Sequence, residues 1–197
     1  MTFLVAGATG ATGRLLVEQL LNRGHTVKVI VRSPDSLPAN LKNHDRLIVI
    51  HANILDLSEA DMARHVNGCD AVASCLGHKF SLKGIFGTPR RLVAAATHLL
   101  CKGIHANKLE KPVKFVLMNT TANRNRDLHE PITIVERGVF ALVRLLLPPQ
   151  VDNEHAAEYF RVTIGQIDRF IEWVVVRPDT LINDDKVTGS DVYTSPT

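Results

Sequence analysis

The feature that most constrains this chain is a glycine-rich segment near its start, which reads AGATGATGR over residues 6–14. Gly7, Gly10 and Gly13 stand three residues apart, directly after an apolar run and directly before a helical pattern. Glycines at such a turn let backbone amides approach a phosphate, and the first turn of the following helix offers unpaired N–H groups. A purely structural glycine turn is the plainer alternative, but a position between strand and helix favours a pyrophosphate-binding loop. The residues expected at the phosphates are Gly7, Thr9, Gly10, Ala11, Thr12 and Gly13.

Short apolar runs alternate with helical patterns along the rest of the chain. The predicted strands are Phe3–Ala6, Val27–Val31, Leu47–Ile50, Ala71–Ser74, Val113–Met118 and Trp173–Val176. Each is apolar at nearly every residue, which is typical of strands buried on both faces of a parallel sheet. The predicted helices run from the glycine loop to Gly24, from Ser58 through Val66, over Arg91–Lys102 and over Asn153–Phe170. This order predicts an α/β fold, a Rossmann-type doubly wound parallel sheet with helices on both faces.

The end of the second predicted strand tests this interpretation. A dinucleotide fold places its ribose-reading residue roughly 20 positions beyond the glycines, and Arg32 stands at that distance from Gly13. A basic residue there accommodates the 2′-phosphate of NADP, whereas an acidic residue would bind the 2′-hydroxyl of NAD. Ser33 adds a hydroxyl, and the nearest acid, Asp35, lies further into the loop. The sequence therefore favours NADP(H) over NAD, with a solvated surface role for Arg32 as the alternative.

Length and composition place the chain among ordinary globular domains. It has 197 residues with 45% hydrophobic and 22% charged, so we expect a single domain over residues 1–197. The net charge of +3 is scattered, which does not fit a nucleic-acid-binding face. Three cysteines without C-x-x-C spacing do not indicate a disulfide framework. No apolar run reaches the roughly 18 residues of a membrane helix, and we expect a cytoplasmic location.

Two segments depart from the alternating pattern. Residues 119–149 form a long insert after the fifth strand, which is polar at first and then has the pattern of an apolar helix over Ile132–Leu147. Because ligands bind beyond the carboxyl ends of parallel strands, this insert is expected on the substrate side. It either covers a pocket, forms an oligomer contact or completes the core. From about residue 184 the chain becomes a polar carboxyl-terminal tail.

Three motifs together resemble a known family. They are GATGATG after the first strand, VRS after the second, and WVVVRPDTL around the sixth. They resemble the atypical short-chain dehydrogenase/reductases, and most closely the NmrA-like and NAD(P)H-binding branch, which includes relatives of flavin and biliverdin reductases. The resemblance spans residues 2–182 and implies an extended Rossmann domain with NADP(H) across the carboxyl ends of the strands.

The resemblance also assigns positions around the cofactor. It places Asn53 and Ile54 beside the adenine, although the family often has aspartate where Asn53 stands. An asparagine can still accept a hydrogen bond from the adenine amino group. By the same resemblance, the residues along the ribose and pyrophosphate are Cys75, Leu76 and Gly77. Those near the nicotinamide ribose and ring are Met118, Asn119, Thr120 and Pro178.

The catalytic residues of the family are only partly present. The main short-chain dehydrogenases use a serine or threonine after strand five and a Tyr-x-x-x-Lys pair on the next helix. Thr120 and Tyr159 are accordingly the candidate catalytic residues, but Thr163 stands where the lysine is expected. A tyrosine without that cation has a pKa near about 10 and is a poor acid–base catalyst. Packing is therefore the alternative role of Tyr159.

Histidines are the other candidates for proton transfer and metal binding. His78 and His155 have a suitable intrinsic pKa for proton donation. No histidine or cysteine pair has metal-ligand spacing, so we expect no metal site.

These features predict an NADP(H)-dependent oxidoreductase that transfers hydride to a small quinone, flavin-like or carbonyl acceptor. The missing lysine leaves open a second hypothesis, a non-catalytic NADP(H)-sensing regulatory protein of the NmrA-like type. A third is a nucleotide-sugar or isoprenoid-modifying enzyme that holds its cofactor tightly. The expected partner is a small molecule, with no nucleic acid and no membrane, and a homodimer is left open.

Overall fold

The sheet is the centre of the molecule. In the computed structural model of the protein, residues 1–78, 87–120 and 147–178 are described, together with positions 123, 127, 133, 138, 142, 144, 181, 189 and 191–193. Six parallel strands lie in the order β3-β2-β1-β4-β5-β6. Their bounds are β1 Thr2–Ala6, β2 Thr26–Val31, β3 Leu47–His51, β4 Ala71–Ser74, β5 Val113–Met118 and β6 Ile171–Val176. The strand order reverses between β1 and β4, which is where open α/β sheets bind ligands.

Helices cover both faces of the sheet, as the sequence predicts. Their bounds are α1 Ala11–Asn22, α2 Ala39–Lys42, α3 Glu59–Val66, α4 Leu92–Asn107 and α5 Pro148–Tyr159. One core cluster joins α1 and the segment around Leu37 to alternate strand residues such as Val5 and Val29. The larger cluster joins α3, α4 and α5 to the intervening residues, including Leu4 and Phe115. The doubly wound Rossmann-type fold is therefore confirmed.

Local sequence signals explain two helix ends. After α1, Gly24 adopts a φ of 78°, and the N–H groups of Gly24 and His25 donate to the carbonyls of Leu21 and Leu20. This Schellman arrangement provides hydrogen-bond donors for carbonyls at the end of the helix that would otherwise be unpaired. It favours glycine at position 24, because the positive φ is costly for other residues. Ser58 begins α3 with a capping box shared with Asp61.

The structure corrects some predicted bounds. The helix predicted over Asn153–Phe170 begins earlier, at Pro148. Proline is well tolerated in the first turn of a helix, because the N–H group that it lacks would have no partner within the helix there. It continues into a π-helical turn, Phe160–Ile164, and stops at Gly165, whose φ is 74°. The helix predicted over Arg91–Lys102 extends to Asn107.

The expectation that every strand is buried on both faces is wrong for the outer strands. Ile48 of β3 and Val174 of β6 are 46% and 51% exposed. Each of these strands has only one neighbouring strand among the described residues. Central strands such as β4, by contrast, are buried at every residue.

The contact between α3 and α4 depends on Gly103. A Cβ at Gly103 would lie 2.8 Å from Met62 Cγ, 3.0 Å from Met62 C and 3.1 Å from Ala63 N. Two of these three atoms are backbone, so the helices would have to move apart. Gly103 therefore sets the distance between α3 and α4.

We expect Gly103→Ala to lower stability by about 1–3 kcal/mol, because overpacking a buried contact outweighs the better helix propensity of alanine. Thermal unfolding followed by circular dichroism measures the effect. Gly138→Ala is the matched control, since a Cβ there meets nothing within 4 Å. A midpoint unchanged in Gly103→Ala would contradict this account of the helix contact.

Because of the capping box, the stability of the protein depends on pH in the acid range. Hydrogen bonds from Ser58, followed by the interaction with Arg64, lower the pKa of Asp61 from 3.8 to about 2. Because the folded-state pKa is depressed, the stabilisation is complete above the unfolded value and is lost as pH falls from about 4 towards 2.

We expect Asp61→Asn to flatten the fall of Tm over that pH range. Ser58→Ala should act in the same direction, because it removes the first donor to Asp61. An acid slope identical in wild type and Asp61→Asn would show that other carboxylates determine it.

Candidate cofactor-binding site

The glycine loop is built by close backbone approaches. A Cβ at Gly7 would lie 2.5 Å from the carbonyl oxygen of Cys75, and Gly7 has a φ of 83°. A Cβ at Gly13 would lie 2.2 Å from the carbonyl oxygen of Gly7. These two positions therefore exclude side chains, and the loop closes tightly onto the segment that follows β4.

The amino terminus of α1 is open to a ligand. Its N-cap, Gly10, gives no side-chain hydrogen bond, and the first turn carries no acidic residue. Thr9, Gly10 and Ala11 are exposed, while Thr12 is half-buried and Gly13 is buried. Uncapped N–H groups and the positive end of the helix dipole suit an anion such as a pyrophosphate. The loop residues named from the sequence are thus brought together in a geometry that fits a dinucleotide.

Arg32 and Ser33 lie at the carboxyl end of the neighbouring strand β2, and both are exposed. The Arg32 guanidinium has no ion pair with any residue that the structure describes. Asp35 lies in the next turn, with a carboxylate oxygen 3.5 Å from Lys42 Nζ. The ring of His51, at the end of β3, lies 3.0 Å from the carbonyl oxygen of Arg32. The Arg32 cation is therefore accessible to a phosphate.

The positions assigned around the adenine and pyrophosphate differ in what they offer. Asn53 is half-buried and begins a short 3₁₀ turn, Ile54–Asp56, while the Ile54 side chain belongs to the core. The Ile54 side chain is thus not available to a ligand. Cys75 and Leu76 are partly buried and Gly77 is exposed. Burial raises the pKa of the Cys75 thiol to about 11, so it is neutral and not a nucleophile at neutral pH.

Asn119 ties three elements together at the end of β5. Its backbone N–H donates to the carbonyl of Val176, and its Nδ2 donates to the carbonyl of Asn153 at 3.0 Å. Its Oδ1 accepts from the N–H of Thr120 at 2.8 Å. Both polar atoms of the Asn119 side chain therefore form hydrogen bonds within the protein. Met118, Thr120 and Pro178 are half-buried around it.

Tyr159 lies away from this edge. It is six residues beyond Asn153, which is about 9 Å along α5. Its ring lies 3.9 Å from that of His98 on α4, and burial raises its pKa to about 12. Both observations favour packing between the helices. The catalytic assignments of Thr120 and Tyr159 stay predictions.

A buried carboxylate that the sequence analysis did not single out joins α5, α4 and the end of β4. Asp152 accepts hydrogen bonds from the N–H groups of Val93 at 2.8 Å and Ala94 at 3.0 Å. His78 Nε2 lies 2.9 Å from the same carboxylate. The side chains of Asp152 and His78 are 0% and 8% exposed. Asp152 thus caps α4, whose own N-cap, Arg91, makes no side-chain cap. No local signal could have found this contact, because 74 residues separate Asp152 from His78.

Three described positions of the insert are attached to α5, to the π-helical turn that follows it and to the end of β6. Arg144 Nε donates to both carboxylate oxygens of Glu154 at 2.8 Å, and Arg161 pairs with Asp127. Arg177 donates to the carbonyl of Asn123 at 2.8 Å. The helix predicted over Ile132–Leu147 and the tail from about residue 184 lie outside the described residues, apart from isolated positions.

The fold and the site define a class, the dinucleotide-binding α/β proteins. A family model described as NAD(P)H-binding matches residues 7–196, so the chain belongs to the NAD(P)H-binding family. The NAD(P)H-binding family that the sequence motifs indicate is thereby confirmed.

Known relatives agree with this assignment. An uncharacterised chloroplastic protein of Arabidopsis thaliana is 42% identical over 180 residues, which are 91% of this chain and 59% of that protein. A putative dihydroflavonol 4-reductase of Synechocystis is 34% identical over 76 residues, 39% of this chain and 21% of that protein. A wide-type short-chain dehydrogenase/reductase from Veillonella parvula, solved in complex with NADP, has a TM-score of 0.65 at 13% identity. That match covers 94% of this chain and 72% of the solved one.

The structure also bears on metal binding, membrane-spanning helices and cysteine pairing. Among the described residues, no group of three metal-ligating side chains forms, and no helix is long and apolar enough to cross a membrane. All three cysteines are free thiols. The cytoplasmic location stays a prediction.

We expect Asp152→Asn to destabilise the protein, because an amide cannot accept all the hydrogen bonds that the carboxylate accepts. Each hydrogen bond to a charged group contributes about 1.5–3 kcal/mol. Thermal unfolding gives the stability, and hydrogen exchange of the Val93 and Ala94 amides reports the start of α4.

Asp61→Asn, which changes the capping box of α3 instead, is the control and should leave the Val93 and Ala94 amides protected from exchange. Unchanged Tm and unchanged exchange in Asp152→Asn would show that the carboxylate is not what holds α4 in place.

Proposed function

We propose that the protein is an NADP(H)-dependent oxidoreductase that transfers hydride to a small quinone, flavin-like or carbonyl acceptor. The observation that carries the proposal is the exposed Arg32, which forms no ion pair with a described residue, together with the uncapped amino terminus of α1, the helix that follows the neighbouring strand β1. A guanidinium binds a phosphate through two parallel hydrogen bonds, and the helix terminus binds a pyrophosphate. NADP(H) carries both groups, whereas NAD lacks the 2′-phosphate.

The fold supports a specific set of contacts to the proposed cofactor. Backbone N–H groups of the glycine loop would bind the pyrophosphate, and Arg32 with Ser33 would bind the 2′-phosphate at the β2 side. The nicotinamide half would then lie across the switch point, above β4 and β5, near Thr120 and Pro178. When bound, the reduced nicotinamide supplies a hydride. The protein's part is to orient the acceptor beside it and to exclude water.

The acceptor site is proposed at the insert side of this edge. The ion pairs Arg144–Glu154 and Arg161–Asp127 hold parts of the insert against α5 and the π-helical turn that follows it. Small-molecule binding fits this position better than nucleic acid, since the molecule carries only a small and scattered net charge of +3.

A second candidate function is an NADP(H)-sensing regulatory protein of the NmrA-like type. The position of Tyr159 between helices, together with Thr163 in place of the lysine, supports it. A sensor would bind oxidised and reduced cofactor with different affinity and respond structurally without turnover. Size-exclusion chromatography with light scattering, with and without each cofactor form, tests this function and the homodimer together.

We expect Arg32→Ala to weaken NADPH binding by about tenfold or more, which corresponds to about 1.4 kcal/mol. NADH binding should change little, because NADH has no 2′-phosphate. Calorimetric titration of both cofactors measures the difference.

The matched control is Arg23→Ala, which removes an exposed arginine at the opposite end of α1. It should bind both cofactors as the wild type does. Equal losses for NADPH and NADH in Arg32→Ala would overturn the proposed NADP(H) preference. A wild type that binds NADPH but reduces no quinone, flavin or carbonyl acceptor would overturn the oxidoreductase proposal and favour the sensor.

A further inference from the structure

His78 and Asp152 lie at the edge of the sheet where the nicotinamide half of the cofactor is proposed. His78 is three residues beyond Cys75, whose backbone contacts the glycine loop. Asp152 precedes Asn153, whose carbonyl is bonded to Asn119 at the end of β5. The pair therefore bridges the carboxyl ends of β4 and β5. It occupies the side of the switch point opposite to Arg32.

The contact between the two side chains selects one state of the histidine ring. Nε2 of His78 lies 2.9 Å from the Asp152 carboxylate, so in the neutral ring Nε2 carries the proton. The carboxylate is itself held by the Val93 and Ala94 amides, which fixes its position. A histidine oriented in this way directs its other nitrogen, Nδ1, away from the carboxylate. No described residue forms a hydrogen bond with Nδ1.

A second histidine–aspartate pair offers an internal comparison. His105 Nε2 lies 3.0 Å from an oxygen of Asp168, and Asp168 also accepts from the N–H groups of Phe170 and Ile171 at the start of β6. This pair lies at the amino end of the sheet. His105 follows Val93 by twelve residues, about 18 Å along α4. The two pairs have similar chemistry at opposite edges, and only the first adjoins the proposed site.

We propose that His78, positioned by Asp152, is the proton donor to the hydride acceptor. This proposal rests on the proposed function. It narrows the acceptor to molecules reduced at a carbonyl group, namely ketones, aldehydes and quinones. His78 is the catalytic residue and Asp152 is a positioning residue that fixes the tautomer and direction of the ring.

The reaction balances without any further reagent. For a ketone or aldehyde, the carbonyl carbon takes the hydride from the cofactor, and the C–O π bond breaks. Its oxygen takes a proton from Nδ1 of protonated His78, which gives an alcohol. The bound reduced nicotinamide would supply the hydride with its electron pair and would thereby be oxidised, and His78 regains its proton from water. A quinone takes the same hydride and proton and leaves as the hydroquinone.

The kinetic test compares His78→Gln with His105→Gln. Glutamine retains an N–H for the aspartate but cannot donate a proton as an acid. General acid catalysis contributes about 10²–10⁴-fold, so we expect kcat with a small quinone or aldehyde to fall by at least about a hundredfold in His78→Gln. KM and the NADPH dissociation constant should change by less than about threefold, and added imidazole should partly restore the rate of His78→Ala. His105→Gln should turn over as the wild type does.

A spectroscopic readout examines the pair without turnover. In ¹⁵N-labelled protein at a pH where the ring is neutral, His78 should be the Nε2–H tautomer, and Asp152→Asn should lose this preference. His105 should keep its own state in that variant. This result is expected even if Asp152→Asn is less stable, provided that its amide spectrum shows a folded protein. A variant that does not fold is replaced by Asp152→Glu, for which a changed tautomer and a reduced kcat at unchanged KM are expected.

The outcomes separate the two proposals. A wild type inactive with every acceptor overturns the proposed function and the proton-donor role with it. An active wild type whose His78→Gln variant keeps the wild-type kcat overturns the proton-donor role alone. A His78 tautomer with the proton on Nδ1 would overturn the positioning role of Asp152.

Discussion

The structure depends on the close approach of backbone at the glycine loop. Gly7 sits against the carbonyl of Cys75, and Gly13 sits against the carbonyl of Gly7, at distances that leave no room for a Cβ. These contacts bring the end of β1, the start of α1 and the segment after β4 together at the switch point. The same geometry leaves the first turn of α1 uncapped and exposed. A single steric constraint thus shapes the loop and creates its capacity to bind an anion.

A second set of interactions holds the other half of the carboxyl edge. Asn119 joins β5 to β6 and α5, and Asp152 joins α5 to α4 and to His78. Both side chains are buried and accept or donate several hydrogen bonds at once. Buried polar groups are costly unless fully bonded, so these networks fix the relative positions of the elements that they join. At this side of the switch point, β5, β6, α4 and α5 are therefore tied to one another by buried hydrogen bonds.

The two sides of the switch point are proposed to have different roles, one in binding the cofactor and the other in proton transfer. The β1–β2 side offers a cation and backbone amides, which suit the phosphates of a dinucleotide. The β4–β5 side offers a threonine and a histidine held by a carboxylate, which suit proton transfer to an acceptor. Tyr159, the position suggested by family resemblance, lies instead between helices with a raised pKa. Acid–base chemistry in this protein is accordingly proposed at a residue outside the Tyr-x-x-x-Lys pattern.

The fold class, the strands of the sheet and the positions of the glycine loop and Arg32 could all be predicted from the sequence. These features depend on neighbours along the chain: apolar runs, capping residues such as Ser58, and glycines that permit one local turn. The sequence did not show that Pro148 begins α5, because a proline can follow the end of one helix or begin the next. Nor did it determine the exposed faces of β3 and β6, since strand order is not a local property. The approach of His78 to Asp152 and the position of Tyr159 between two helices depend on how the whole fold is assembled. Hydrogen bonds across 74 residues of chain arise from how the sheet and its helices are assembled, which no local pattern records.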